Sequence, residues 1–174
     1  MRIILIRHGK TKGNKERRYI GSTDEGLCDE GIEELKRKKY PDVQIVITSG
    51  MKRCEETADV IYKGKERKIY EGLKECDFGK FEYMCYEELK DDKDYVKWIK
   101  SGGECGFPNG EDKEGFCKRC CAEFERSIAE NSDKESIAYI VHGGTIMAIG
   151  EKYLGKGFYD MQVKNGEWVE VWKQ

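Results

Sequence analysis

Three short apolar runs constrain this chain more than any other feature: residues 2–6 (Arg-Ile-Ile-Leu-Ile), 43–48 (Val-Gln-Ile-Val-Ile-Thr) and 136–141 (Ser-Ile-Ala-Tyr-Ile-Val). Each is rich in β-branched residues and lacks the polar alternation of a half-exposed strand, so each reads as a strand buried on both faces. Such strands belong to parallel sheets, whose crossovers place helices over both sides. Helical patterns lie where the crossovers need them. Residues 29–39 carry Ile32 and Leu35 and are closed by Pro41; residues 52–62 carry Cys54, Ala58 and Ile61; residues 111–131 carry Cys117, Cys121, Phe124 and Ile128; residues 145–154 follow the third run. Residues 67–70 read as a further short strand, 86–100 as a surface helix or helix pair, and 10–26 as a polar loop with one helical turn at most. Asn165-Gly166 predicts a hairpin joining strands at 158–163 and 167–172. The expected fold is α/β, a three-layer α/β/α sandwich with a mostly parallel central sheet and an antiparallel edge strand. One domain is expected over residues 1–174, with a cap or insert at roughly 72–112.

Composition narrows the function classes. Lys and Arg number 32 against 34 Asp and Glu, mixed along the chain, which argues against a basic nucleic-acid-binding face. The first apolar run meets Arg7 too soon for a signal peptide or a spanning helix, so a cytoplasmic location away from membranes is expected. Eight cysteines suggest a disulfide framework only in small secreted chains. Here several fall on apolar helical stripes and read as small buried hydrophobes. Cys117-x-x-Cys120 lies inside a helical pattern without a second ligand pair, so no metal site is expected there.

The chemistry concentrates on the only two histidines. His8 and His142 each stand directly after an apolar strand and directly before a glycine. That places both imidazoles at the carboxyl ends of strands, where open α/β sheets put their reactive groups. Arg7 precedes His8, and Arg53 lies just past the second strand at the start of a helix. Two guanidinium groups and a helix N-terminus suit a phosphate dianion. There is no Gly-x-x-x-x-Gly-Lys-Ser/Thr loop for a nucleoside triphosphate. A neutral histidine can attack phosphorus, and the departing alkoxide then needs an acid; Glu75 and Asp77 are both candidates.

Arg7-His8-Gly9-Lys10-Thr11, with Asn14 beyond it, resembles the RHGxT signature of the histidine phosphatase superfamily, the phosphoglycerate mutase-like phosphatases. Four further segments resemble that family in order: Arg18 to Asp24 followed by Leu27, Ser49 to Ala58 (SPxxRxxxTA), Glu75 to Glu82 (ExDFGxWEG) and Val141 to Thr145. The resemblance implies that His8 takes the phosphoryl group, Glu75 is the proton donor, and His142 helps hold the phosphoryl group. It further implies that Arg7, Asn14, Arg53, Gly21 and Gly143 bind phosphate or substrate. Gly50 and Gly26 stand where prolines are usual, and Phe81 and Tyr83 replace the tryptophan and glycine of the WEG turn. The short length and the segment Phe107 to Asp112 look closest to the α-ribazole phosphatase and broad-specificity branches.

The resemblance therefore implies a metal-independent phosphomonoesterase without cofactor, acting on a small phosphorylated metabolite such as the α-ribazole 5′-phosphate of cobalamin synthesis. Phosphoglycerate mutase-type transfer and a non-catalytic phosphate-binding module are the alternatives. Glu111 reads equally as a first-turn carboxylate favoured by a helix dipole. Phe78, Phe81, Tyr83 and Trp98 read either as a substrate wall or as packing, and the basic stretch from Lys10 to Arg18 either as a steering mouth or as a solvated loop. Trp168, Val169, Val171 and Trp172 fit an ordinary sheet edge or a dimer edge, so the chain is expected as a monomer or homodimer.

Overall fold

A computed structural model of the protein describes residues 1–172. In chain order it contains β1 (Arg2–Arg7), α1 (Lys12–Lys15), α2 (Asp29–Arg37), β2 (Ile45–Thr48), α3 (Lys52–Ile61), β3 (Glu66–Ile69), α4 (Tyr86–Leu89), α5 (Lys93–Lys100), α6 (Lys113–Glu130), β4 (Ser136–Val141), α7 (Gly143–Leu154) and β5 (Trp168–Trp172). The five strands form one sheet in the order β3-β2-β4-β1-β5. All neighbours are parallel except β1 and β5. The fold is thus the α/β sheet with an antiparallel edge that the sequence predicts.

Both faces of the sheet are covered, which is why its central strands tolerate no polar alternation. Ile3, Leu5, Ile47 and Tyr139 pack on one side with Phe124 and Ile128 of α6 and Ile146 and Ile149 of α7. Ile4, Ile6, Val46 and Ile140 pack on the other with Cys54 and Ala58 of α3. Register then sets the site. Arg7 pairs with Val141, and Thr48 with Ile140, so β1, β4 and β2 end at one level and their next residues emerge side by side.

The hairpin expected at the C-terminus does not form. Phe158–Met161 is a 3-10 turn, closed by the Gly157 N–H on Asp160 Oδ2, that buries Met161 against Gly150 of α7. β5 pairs with the free edge of β1, and the Asn-Gly turn before it bonds to Arg7 and His8. Other expectations shift in detail. Residues 86–100 are two helices, parted at Asp92, whose carboxylate caps α5 by accepting the Asp94 and Tyr95 N–H groups. The long helix starts at Lys113 with Asp112 as its cap, leaving Glu111 outside it. Tyr83, standing where the family has glycine, takes the left-handed conformation at φ 60°. The Tyr83 N–H on the Tyr19 carbonyl and the Arg18 guanidinium on the Tyr83 carbonyl hold it there.

All eight cysteines are free, and Cys54, Cys76, Cys120 and Cys121 are buried. Burial pushes the Cys54 thiol up to about 12 and the Cys117 thiol up to about 11. Among the described residues, no group of three or more His, Cys, Asp or Glu side chains could hold a metal ion, and no helix is long and apolar enough to cross a membrane.

Candidate active site

The in-register ends of β1 and β4 bring the two imidazoles together, with ring centroids 5.3 Å apart and planes at 61°. His8 is 4% exposed and His142 fully buried. His8 Nδ1 lies 2.7 Å from the Gly9 carbonyl oxygen, an acceptor, so Nδ1 carries the proton and Nε2 keeps its lone pair. The Gly9 N–H donates to Thr57 Oγ1 at 2.9 Å, and that hydroxyl donates to the Arg53 carbonyl at 2.6 Å. The loop that carries His8 is thereby fastened to α3. In His142 the roles reverse: Arg53 Nε donates to Nδ1 at 3.3 Å, so Nε2 carries the proton and donates to Ser49 Oγ at 2.8 Å. Burial holds both histidines well below their ordinary value, with the Arg53 charge adding to it, so both rings are neutral at pH 7.

Arg53 sits at the start of α3 and is fully buried. Its Nη1 donates to the Thr23 carbonyl at 2.8 Å and its Nη2 to the Gly21 carbonyl at 3.0 Å. Arg7 Nη1 donates to the Val163 carbonyl at 2.9 Å, while its buried Nε has no partner. Burial pulls the Arg7 guanidinium below its ordinary value. Among the described residues neither arginine forms an ion pair with a carboxylate, although Arg53 is fully buried and Arg7 half-buried. Gly143 opens α7 beside Arg7, where a Cβ would lie 3.4 Å from the guanidinium carbon. Asn14 Oδ1 accepts the Thr11 N–H at 3.2 Å, which leaves its Nδ2 as a donor. This donor set, two guanidinium groups without carboxylate partners beside a helix N-terminus, fits a tetrahedral dianion.

Glu75 is held over the same place. Its Oε2 accepts the Gly144 N–H of α7 at 3.0 Å and its Oε1 the Cys76 N–H at 3.0 Å. Burial raises its carboxyl above the ordinary range, against the pull of those two N–H groups and the two guanidinium groups. Gly144 must be glycine for this approach, since a Cβ would fall 2.3 Å from Glu75 Oε1. The rival Asp77 is turned to another use, accepting the Gly79 N–H at 2.9 Å within its own turn. Glu111 braces the segment that carries Glu75 and Asp77, accepting the Asp77 N–H and pairing with Arg119 through both oxygens. Arg119 donates in turn to the carbonyls of Gly72 and Lys74. Sequence reasoning missed Arg119, which lies inside a helix without a motif to mark it, and Asn165, which reads as an ordinary turn residue.

Gly21 donates its N–H to Glu82 Oε1 at 2.9 Å and presents its carbonyl to Arg53. A Cβ there would sit 1.9 Å from the Cys76 carbonyl oxygen. Most of the basic stretch is paired rather than free: Lys10 with Glu30 and Glu34, Lys15 with Glu30, Lys12 with Glu16, and Arg18 with Glu16 and Glu88. Beyond Glu75 opens a cavity of about 280 Å³, floored by Arg7, Glu75 and Gly143 and walled by Tyr19, Phe78, Trp98, Phe107 and Phe158. Phe78 and Trp98 are therefore wall residues, whereas Phe81 is fully buried in the packing behind them.

The sequence pattern of the histidine phosphatase superfamily (branch 1) matches residues 3–171. The chain belongs to that superfamily. This histidine phosphatase is 25% identical to an adenosylcobalamin/alpha-ribazole phosphatase of Salmonella typhimurium, over 98% of this chain and 90% of that one. It is 28% identical to a broad-specificity phosphatase of Saccharomyces cerevisiae, over 86% of this chain and 68% of the relative. In fold it is similar to the crystal structure of the alpha-ribazole phosphatase from Shigella flexneri, with a TM-score of 0.86 at 24% identity over 98% and 89% of the two chains. It is also similar to that of a phosphoglycerate mutase from Thermus thermophilus, with a TM-score of 0.77 at 29% identity over 98% and 92%.

Proposed function

We propose that this phosphatase hydrolyses a phosphomonoester through a phosphohistidine on His8, without a metal ion, and that α-ribazole 5′-phosphate is its substrate. The observation that carries the mechanism is the His8 Nδ1–H···O=C bond to Gly9, which leaves the Nε2 lone pair facing a site with two guanidinium groups that lack carboxylate partners. Nε2 attacks phosphorus in line, the ester P–O bond breaks, and the proton of Glu75 passes to the departing alkoxide. Arg7 and Arg53 supply the positive charge for the equatorial oxygens, and Asn14 Nδ2 and the Gly143 N–H add donors. His142 keeps the Arg53 guanidinium in place through Nδ1. Water then loses a proton to the Glu75 carboxylate and attacks phosphorus; the P–N bond breaks, giving inorganic phosphate and neutral His8.

Two things support the substrate. The relatives in Salmonella typhimurium and Escherichia coli are named for alpha-ribazole, and the aromatic-walled cavity opens beside Glu75 and Arg7. Comparing kcat/KM for α-ribazole 5′-phosphate and p-nitrophenyl phosphate, with a chelator present, tests it. A preference near a thousandfold, about 4 kcal/mol of differential transition-state binding, is expected. Equal turnover of the two esters would make this a broad-specificity phosphatase, and dependence on a bisphosphate primer would make it a mutase-type transferase.

A further inference from the structure

The turn before β5 reaches into the site. Asn165 Nδ2 donates to the His8 carbonyl at 3.1 Å and to Asn14 Oδ1 at 3.1 Å, with the Gly9 carbonyl at 3.5 Å. The turn is itself fixed on both sides. The Gly166 N–H bridges the carbonyls of Arg7 and His8 at 3.0 and 3.2 Å, Tyr40 Oη donates to the Gly166 carbonyl at 2.8 Å, and Lys38 Nζ donates to the Asn165 carbonyl at 3.2 Å. Gly166 has φ 68°, and a Cβ there would meet Leu35 Cδ2 at 2.9 Å, so the turn has little room to move.

An amide side chain has an accepting end and a donating end, and its neighbours decide which points where. Asn14 Oδ1 receives two donors, the Thr11 N–H and Asn165 Nδ2, so its own NH₂ must face away from them. Without Asn165 only the Thr11 contact at 3.2 Å sets that direction. A carboxylate at 165 would face three acceptors at once: the His8 and Gly9 carbonyls and Asn14 Oδ1. Turning the Asn14 amide over relieves part of that repulsion, but it presents an oxygen to the phosphoryl group.

We propose that Asn165 is a positioning residue of the phosphoryl-transfer site, holding the Asn14 amide with its NH₂ toward the phosphoryl group. The inference rests on the phosphohistidine reading for the role of Asn14, and extends it to a residue that touches neither substrate nor reacting atoms.

The test is a double-mutant cycle on the full chain with p-nitrophenyl phosphate, reading kcat, KM and Tm. Asn165→Ala and Asn165→Asp are each made in the wild-type and Asn14→Ala backgrounds. In the wild type, Asn165→Ala should lower kcat/KM about tenfold and Asn165→Asp about a hundredfold, the cost of a misaimed donor. In the Asn14→Ala background both losses should shrink to less than about threefold, because no amide remains to be aimed. Equal fold losses in both backgrounds would overturn the proposal and leave the turn a fold support. Wild-type kcat/KM for Asn165→Asp would overturn it as well. If Asn165→Asp does not fold, the Asn165→Ala cycle decides alone. Undiminished turnover by His8→Ala would bring down the underlying phosphohistidine reading, an outcome distinct from additive losses in an enzyme that His8→Ala inactivates.

Discussion

Replacing Thr57 by valine swaps one hydroxyl for a methyl of similar size at a fully buried position. The hydroxyl has two partners. It accepts the Gly9 N–H at 2.9 Å and donates to the Arg53 carbonyl at 2.6 Å. The carbonyl loses little, because it is also within α3 and can keep its helical bond. The Gly9 N–H has no substitute partner, and an unsatisfied buried donor costs about 1–3 kcal/mol. Taking about 2 kcal/mol, a chain of this size should lose about 4–8 °C in Tm. Because Gly9 also accepts the His8 Nδ1–H, the same change should lower kcat with less effect on KM. Thr57→Ser, which keeps the hydroxyl, should recover most of both. Urea unfolding and steady-state kinetics on the three proteins measure it. If Thr57→Val were as stable and active as wild type while Thr57→Ser was impaired, packing of the methyl group would matter and the hydrogen-bond argument would fail.

Two further outcomes follow from charge. His8 and His142 are held below their ordinary value, so the unfolded chain takes up protons near pH 6.5 that the native chain refuses, and stability falls as pH drops through that point. Glu75, raised in the fold, opposes this by keeping a proton that the unfolded chain releases. Between pH ~4.5 and ~6 the two histidines should outweigh Glu75, so stability should fall as pH falls, and His8→Gln should make that fall shallower by up to about 1.4 kcal/mol per pH unit, one proton's worth. Urea midpoints in phosphate-free buffer check this, and identical slopes for both proteins would contradict it. Glu75→Gln should slow an alkyl phosphate about 10²–10⁴-fold. With p-nitrophenyl phosphate, whose phenolate leaves without a proton, it should give a burst of one product per enzyme followed by slow turnover. Equal losses on both esters without a burst would remove Glu75 from the acid role.

The sheet was legible because its central strands are buried on both faces and therefore stand out as uninterrupted apolar runs. The two histidines were legible because each follows such a run and precedes glycine. What the sequence hid is long-range. Asn165-Gly166 looks like a hairpin turn, yet β5 prefers the open edge of β1, and no local pattern says which strand will offer that edge. Arg119 lies 44 residues beyond Glu75, whose carbonyl is 3.4 Å from its Nη2, so only the packed structure relates them. Glu111 and Asp77 could not be separated from Glu75 by spacing alone. Their surroundings separate them: burial raises the Glu75 carboxyl and so favours its protonated form, the Glu111 carboxyl is lowered against its burial by pairing with Arg119, and Asp77 is spent on the Gly79 N–H.

The central claim is that His8 carries the phosphoryl group, and trapping that intermediate tests it most directly. The enzyme is mixed with ³²P-labelled p-nitrophenyl phosphate, quenched in alkali, digested and mapped by mass spectrometry, since a phosphoramidate survives base and is lost in acid. The account predicts alkali-stable, acid-labile label on the peptide bearing His8, accumulating in Glu75→Gln and absent from His8→Ala. Label on any other residue, or full turnover by His8→Ala, would contradict it.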